Sequence, residues 1–163
     1  MIFSFKKLIS NFGLVFIFVL LCVSANAAGT DSSSENYMDT YKEAKKIIAR
    51  AEKMEKKEKT IKANQLYSKA FEKLQEAHKS DRNNPDILNY LGFTLRKIGK
   101  YDEAEKFYIA GLKIKPDHNG INEYLGELYV QTNRIKLAEE RLAVLKNCNC
   151  EEYQELKKII QNK

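Results

Sequence analysis

Histidine and cysteine are scarce in this sequence, with two of the first and three of the second among 163 residues. His78 and His118 are not spaced as a metal pair. No Ser, His and acid grouping forms a catalytic motif, no glycine-rich loop is built to cradle phosphate, and no ligand run has zinc spacing. These gaps remove the familiar enzymatic and metal-centred readings, so the sequence predicts no enzyme, no catalytic residues, no cofactor and no metal site. Strands are not expected either, because no stretch alternates apolar and polar residues with period two. Lys and Arg outnumber Asp and Glu by 28 to 22, but the cations are interleaved with Glu instead of clustered with exposed aromatics, which argues against a nucleic-acid partner.

Long apolar runs are also missing, except one. Leu14 to Val23 reads LVFIFVLLCV and follows the cations Lys6 and Lys7, the charged-then-apolar order of a secretory signal peptide. A membrane-spanning helix needs about 20 predominantly apolar residues, so an uncleaved anchor is the weaker reading. Ala25-Asn26-Ala27 supplies small residues for cleavage after Ala27, and lipidation at Cys22 is disfavoured by Leu21 before it. The signal segment is therefore read as 1–27. The mature protein starts at Ala28, has no membrane span, and is expected in the periplasm or outside the cell. Loss of Lys6 and Lys7, with no acid, takes the net charge from +6 down by two to +4.

Residues 28–36 are small and polar and are read as a flexible linker, with order expected from Tyr37 in a domain covering 37–163. Apolar residues then recur at helical spacing, as in Tyr37, Tyr41, Ala44, Ile47, Ile48, Ala51 and Met54. Shifting the sequence by 34 aligns Tyr67 with Tyr101 and Ile135, Ala70 with Ala104 and Ala138, and Leu74 with Tyr108 and Leu142. The same shift aligns Gly92 with Gly126 and Leu91 with Leu125 and Ile159. A fixed period of this length marks a helix-turn-helix unit stacked on copies of itself.

Small residues at Gly92, Gly126, Ala104 and Ala138 allow two helix backbones to approach. Gly99 can supply a left-handed turn, Asn133 can make the same turn in the next unit, and Pro116 stops a helix while Asp117 can cap the following one.

Leu91-Gly92, Leu95, Gly99, Tyr101, Ala104, Tyr108, Gly111 and Pro116 make the unit 85–118 resemble the tetratricopeptide repeat family, in its exported bacterial form. The unit 119–152 keeps Leu125-Gly126, Tyr129, Ala138 and Leu142. The unit 51–84 is degenerate in its first helix, where Lys57 and Glu58 occupy the Leu-Gly positions. Leu88 and Asn122 stand where the family usually has an aromatic, and Cys150 where it has a closing proline. The resemblance implies an all-α, right-handed helix-turn-helix solenoid of about three units. Terminal elements of a solenoid must hide an apolar face. Tyr153, Leu156, Ile159 and Ile160 place a C-terminal capping helix at 153–161, with Glu155, Lys157, Lys158 and Gln161 on its outer stripe, and the long N-terminal helix serves as the other cap.

The resemblance also implies a binding function, for a peptide or protein lying on the concave face lined by the first helices. The family's contact positions correspond here to Asp86, Asn89, Tyr90, Phe93, Arg96 and Lys97, then to Gly120, Glu123, Tyr124, Glu127, Val130 and Gln131. We single out Asn89, Tyr90, Phe93, Arg96, Lys97, Glu123, Tyr124 and Glu127 as partner-binding residues, with Phe93 as the anchor whose loss folding should barely notice. Asn89, Arg96 and Lys97 form only part of the family's clamp for carboxylates. Glu123 and Glu127 are like charges four apart, which costs about 0.2 to 0.5 kcal/mol on a helix. Arg96, Lys157 or a basic or mixed-charge peptide could offset it. A monomer or weak oligomer is expected.

Cys148 and Cys150 are the only cysteines left after cleavage. In an oxidising compartment they are read as a local disulfide, or as one buried thiol and one idle one. The alternatives are an intermolecular bridge, or a thiol-redox or copper-handling factor using the same pair.

Overall fold

A computed structural model describes residues 32–163. The expected signal segment and the start of the expected linker lie outside the described residues. Seven helices follow in order: α1 (Ser32–Glu55), α2 (Thr60–Ser80), α3 (Pro85–Lys97), α4 (Tyr101–Ile114), α5 (Asn119–Gln131), α6 (Ile135–Leu145) and α7 (Glu151–Gln161). No strand occurs among the described residues. α1 begins five residues ahead of the expected start at Tyr37. The helices pair as hairpins, α1 with α2, α3 with α4 and α5 with α6, and each hairpin packs on the next, with α7 closing the stack against α5 and α6. This is the all-helical solenoid that the repeat predicts.

Backbone conformation explains the turns. Gly99 has φ 81° and Asn133 has φ 60°, the left-handed conformation expected at both sites. The first hairpin makes its turn at Glu58, with φ 58°, where a side chain costs about 1 to 2 kcal/mol. Glu58 lies 41 positions before Gly99, seven more than the repeat allows. Seven residues are two helical turns, and α2 has 21 residues where α4 has 14. The same facing side is therefore kept while the hairpin lengthens. Counted with this offset, the buried Ala51 falls in the place of Gly92 and the buried Ile47 in the place of Leu88. Lys57 and Glu58 depart from the Leu-Gly pattern because they are in the turn. The first unit is thus the longer hairpin α1–α2, and α1 is its first helix as well as the end of the stack.

The buried side chains run through every hairpin, with Ile47, Tyr67 and Leu74 at one end and Leu125, Leu128 and Leu156 at the other. A Cβ added to Gly92 would lie 2.5 Å from the ring of Tyr108, so that glycine makes room for an aromatic of the paired helix. Gly126 differs. A Cβ there would lie 2.5 Å from Leu156, so its space is filled by α7 and not by α6. Burying Leu156 is worth about 1.5 to 3 kcal/mol, which is what fixes α7 as the cap expected at 153–161.

Polar contacts set the starts of α3 and α5. Asn84 Oδ1 accepts from the backbone N–H groups of Asp86 (3.0 Å) and Ile87 (3.3 Å), with Pro85 in the first turn. The cap of α5 is His118 and not Asp117: His118 Nδ1 accepts from Ile121 N–H at 3.2 Å, and Nε2 is 3.0 Å from Asp86 Oδ1. One imidazole thereby ties the starts of two first helices together. Asn122, buried in place of an aromatic, donates from Nδ2 to the carbonyls of Pro116 and His118 and accepts from Arg141, so its amide stays satisfied. Arg134 donates in a fork to Glu105 at 3.0 and 2.8 Å, a bidentate link from the α5–α6 turn to α4.

Candidate functional site

The first helices carry a continuous row of aromatic and charged side chains. From α1, Tyr41 meets Tyr90 of α3 edge-on, with ring centroids 5.9 Å apart, and Lys45 Nζ stands 5.6 and 5.5 Å from the two rings. Tyr90 adjoins Phe93, and Phe93 lies 4.9 Å from Tyr124 of α5. Arg96 sits 5.6 Å from Phe93 and 5.5 Å from Tyr124. Aromatic faces attract such cations, by about 0.5 to 2 kcal/mol according to exposure. Tyr41, Tyr90 and Tyr124 are half-buried and form the partly exposed edge of this row.

Phe93 is not on that edge. It is 5% exposed and also contacts Tyr67 of α2, so it is the floor under the tyrosines. Its truncation should cost about 3 to 5 kcal/mol of stability, in contrast to the expectation that folding barely notices it. The helical register placed Phe93 beside the core stripe but could not show that Tyr67, on the preceding helix α2, closes over it.

Charge on this surface is largely matched within the protein. Arg96 Nη1 binds Glu127 at 2.7 Å, with side chains 4% and 17% exposed. Burial works against the Arg96 charge, but Tyr108 and Glu127 hold it above its ordinary value. Lys97 Nζ binds Glu55 of α1 at 2.7 Å, and Tyr67 donates to the same carboxylate at 2.9 Å. Although burial pushes the Glu55 carboxyl up, those contacts hold it below the ordinary range. Two members of the partial carboxylate clamp are therefore occupied. The third, Asn89, is buried with Oδ1 unbonded among the described residues.

Glu123 is the exception. It is 9% exposed and has no ion pair among the described residues. Burial first, then Glu127 and Glu152, push its carboxyl up to about 8, against the pull of Arg96. Lys157, an expected partner, lies 5.8 Å from the Tyr153 ring on its own helix instead. Glu123 lines a cleft of about 280 Å³ with Tyr124 and, from α7, Glu151, Glu152 and Glu155. Glu155 had the pattern of an outer, solvated stripe, and Tyr41 and Lys45 had the pattern of a cap. Neither helix is inside a 34-residue unit, which is why the repeat register missed them.

Cys148 and Cys150 form a disulfide in the α6–α7 turn. Among the described residues no group of three or more His, Cys, Asp or Glu side chains is placed to hold a metal ion. A second cleft, of about 580 Å³, is lined mainly by α4, with Lys106 and Phe107 in its wall opposite His78 of α2 and Arg82 of the α2–α3 turn. No described helix is long and apolar enough to cross a membrane.

Comparison with known proteins agrees with this architecture. Residues 62–122 match the tetratricopeptide repeat family. A human protein, Protein O-mannosyl-transferase TMTC3, is 27% identical over 89 residues, which are 55% of this chain and 10% of that protein's length. Among solved structures, the Yersinia enterocolitica type III secretion translocator chaperone SycD superposes with TM-score 0.55 at 18% identity, covering 82% of this chain and 96% of SycD. The same chaperone in complex with a peptide of the translocator YopD gives TM-score 0.52 at 19% identity, over 72% of this chain and 86% of that one. At such identities the likeness is one of fold. In sequence over residues 62–122 and in fold over most of the described length, the chain resembles tetratricopeptide repeat proteins.

Proposed function

We propose that this chain is an exported protein-interaction module that binds a peptide or protein partner along the concave surface of its first helices, and that it is not an enzyme. The observation that carries the reading is the row of half-buried tyrosines, Tyr41, Tyr90 and Tyr124, joined by cations across α1, α3 and α5. Tyrosine and arginine are the residue types that dominate interface energetics. Here they lie side by side, with the three tyrosines packed on the core and partly exposed. SycD, similar in fold, is seen in complex with a peptide of YopD, which supports a peptide as the kind of partner.

Export rests on the sequence of residues 1–27, and the Cys148–Cys150 disulfide suits an oxidising compartment. The test is to pan a random-peptide library on the purified protein and to measure the selected peptides against variants. Tyr90→Ala and Tyr124→Ala should each weaken binding at least tenfold with melting temperature within a few degrees of the parent, while Lys106→Ala in the second cleft should change nothing. Peptides that depend on Lys106 and ignore both tyrosines would overturn the reading. Fractionation with N-terminal mass spectrometry tests export: a mature terminus at Ala28 in the periplasm or medium is the expected result.

A further inference from the structure

The charges on the first-helix surface are arranged unevenly. Toward α1 the surface carries Lys45 over Tyr41 and Tyr90. Toward α7 it carries Glu123, Glu151, Glu152 and Glu155 around one cleft beside the ring of Tyr124. The cations that could neutralise this end are committed elsewhere, Arg96 to Glu127 at 2.7 Å and Lys157 to the Tyr153 ring. Glu123 is more than nine-tenths buried, lines the cleft, and has neither hydrogen bond nor ion pair among the described residues. A carboxylate held largely out of water and without a partner is costly, and the fold retains one, open to solvent only at the cleft, beside three further acids. The N-terminus of α7 favours Glu151 and Glu152 through its dipole, but Glu123 lies on another helix and gains nothing from its own terminus.

We infer that the cleft between α5 and α7 is a cation pocket that takes an arginine or lysine side chain of the bound partner, with Glu123 as its floor, Glu152 and Glu155 as its walls and Tyr124 as an aromatic side. The inference rests on the concave-surface reading above and adds the chemistry of one position in the partner. A guanidinium or ammonium would give Glu123 the counter-charge that the chain withholds and would lie against a ring face, where such ions are attracted. An entering cation also favours the ionised carboxylate, so binding and release of the Glu123 proton are linked.

The test uses the protein as it accumulates in cells and three probes of one shape: Nα-acetyl-arginine methylamide, Nα-acetyl-lysine methylamide and the uncharged Nα-acetyl-citrulline methylamide, with calcium chloride as a fourth arm. Glutamate side-chain carboxyl resonances are followed by NMR as a function of pH. The arginine or lysine probe should shift the Glu123 signal and lower its titration midpoint, by about one pH unit for each tenfold preference for the ionised form. Citrulline should leave it in place, and Glu123→Gln should weaken the cationic probes at least tenfold with the fold intact by its amide spectrum. Equal effects of arginine and citrulline, or a response to calcium alone, would overturn the pocket. Library peptides that bind through Tyr90 while the arginine probe does nothing would overturn the pocket and leave the concave surface standing. A probe that binds when no peptide does would show the reverse.

Discussion

Glu123 should make the protein less stable as pH rises, the opposite of a salt-bridged carboxylate. Its carboxyl is pushed up from the ordinary 4.5 to about 8, so between those values the folded protein keeps a proton that the unfolded chain releases. The folded state binds more protons there, and stability falls across that window and levels off above it. The groups facing Glu123 are Glu127 and Tyr124 on its own helix, Arg96 from α3, and Glu151, Glu152 and Glu155 from α7, and most are acids that oppose its ionisation. A full proton difference is worth about 1.4 kcal/mol per pH unit. Water reaching the cleft screens part of it, leaving on the order of 2 kcal/mol across the window. The assay is urea unfolding of the parent and Glu123→Gln at pH 5, 6, 7 and 8, since the difference between them cancels every other titrating group. The two should nearly coincide at pH 5, and the variant should be the more stable by about that amount at pH 8. Curves that stay parallel over the whole range would refute the buried, unpartnered carboxylate.

Three further outcomes follow from the packing. Glu127→Ala leaves Arg96 buried without its counter-charge and should cost about 3 to 5 kcal/mol in thermal or urea melts, whereas Arg96→Met with Glu127→Leu should recover most of it. His118→Ala removes the cap of α5 and should cost about 0.5 to 2 kcal/mol, with His118→Asn restoring most of the stability in the same measurement. Gly92→Ala drives a methyl into the Tyr108 ring and should cost about 1 to 3 kcal/mol, read as a drop in melting temperature.

Much of the architecture was legible because a stacked repeat imposes one condition many times. Every 34 residues the chain must supply a small residue where helices touch, a bulky one where units meet, and a left-handed turn, and Gly92, Tyr108, Gly99 and Asn133 meet those conditions in sequence. The first hairpin escaped because its turn falls at Glu58, which no local rule marks as left-handed. Its two extra helical turns preserve the inward face, so periodicity alone could not reveal the shift. The cap of α5 escaped for a related reason: Asp117 and His118 are adjacent, and the choice between them is made by Asp86 in the preceding unit, which holds the imidazole in place.

The candidate site was less legible than the core, and the reason lies in where it is built. A repeat register describes what all units share, while this surface takes its distinguishing groups from the two ends. α1 starts twelve residues before the position that corresponds to the start of α3, counted with the 41-residue offset, and brings Tyr41 and Lys45 to Tyr90. α7, beyond the last hairpin, brings Glu152 and Glu155 to Glu123. Between them the internal units contribute matched charge, Arg96 with Glu127, over the Phe93 floor. The surface is thereby polar along its length, cationic and aromatic at one end and acidic at the other. If a partner binds there as proposed, two chemically different ends give it a direction. Specificity of that kind cannot come from identical units, because a run of equivalent sites would accept a partner in any register. The terminal helices, which a solenoid needs in any case to cover its apolar ends, are the elements free to break that equivalence.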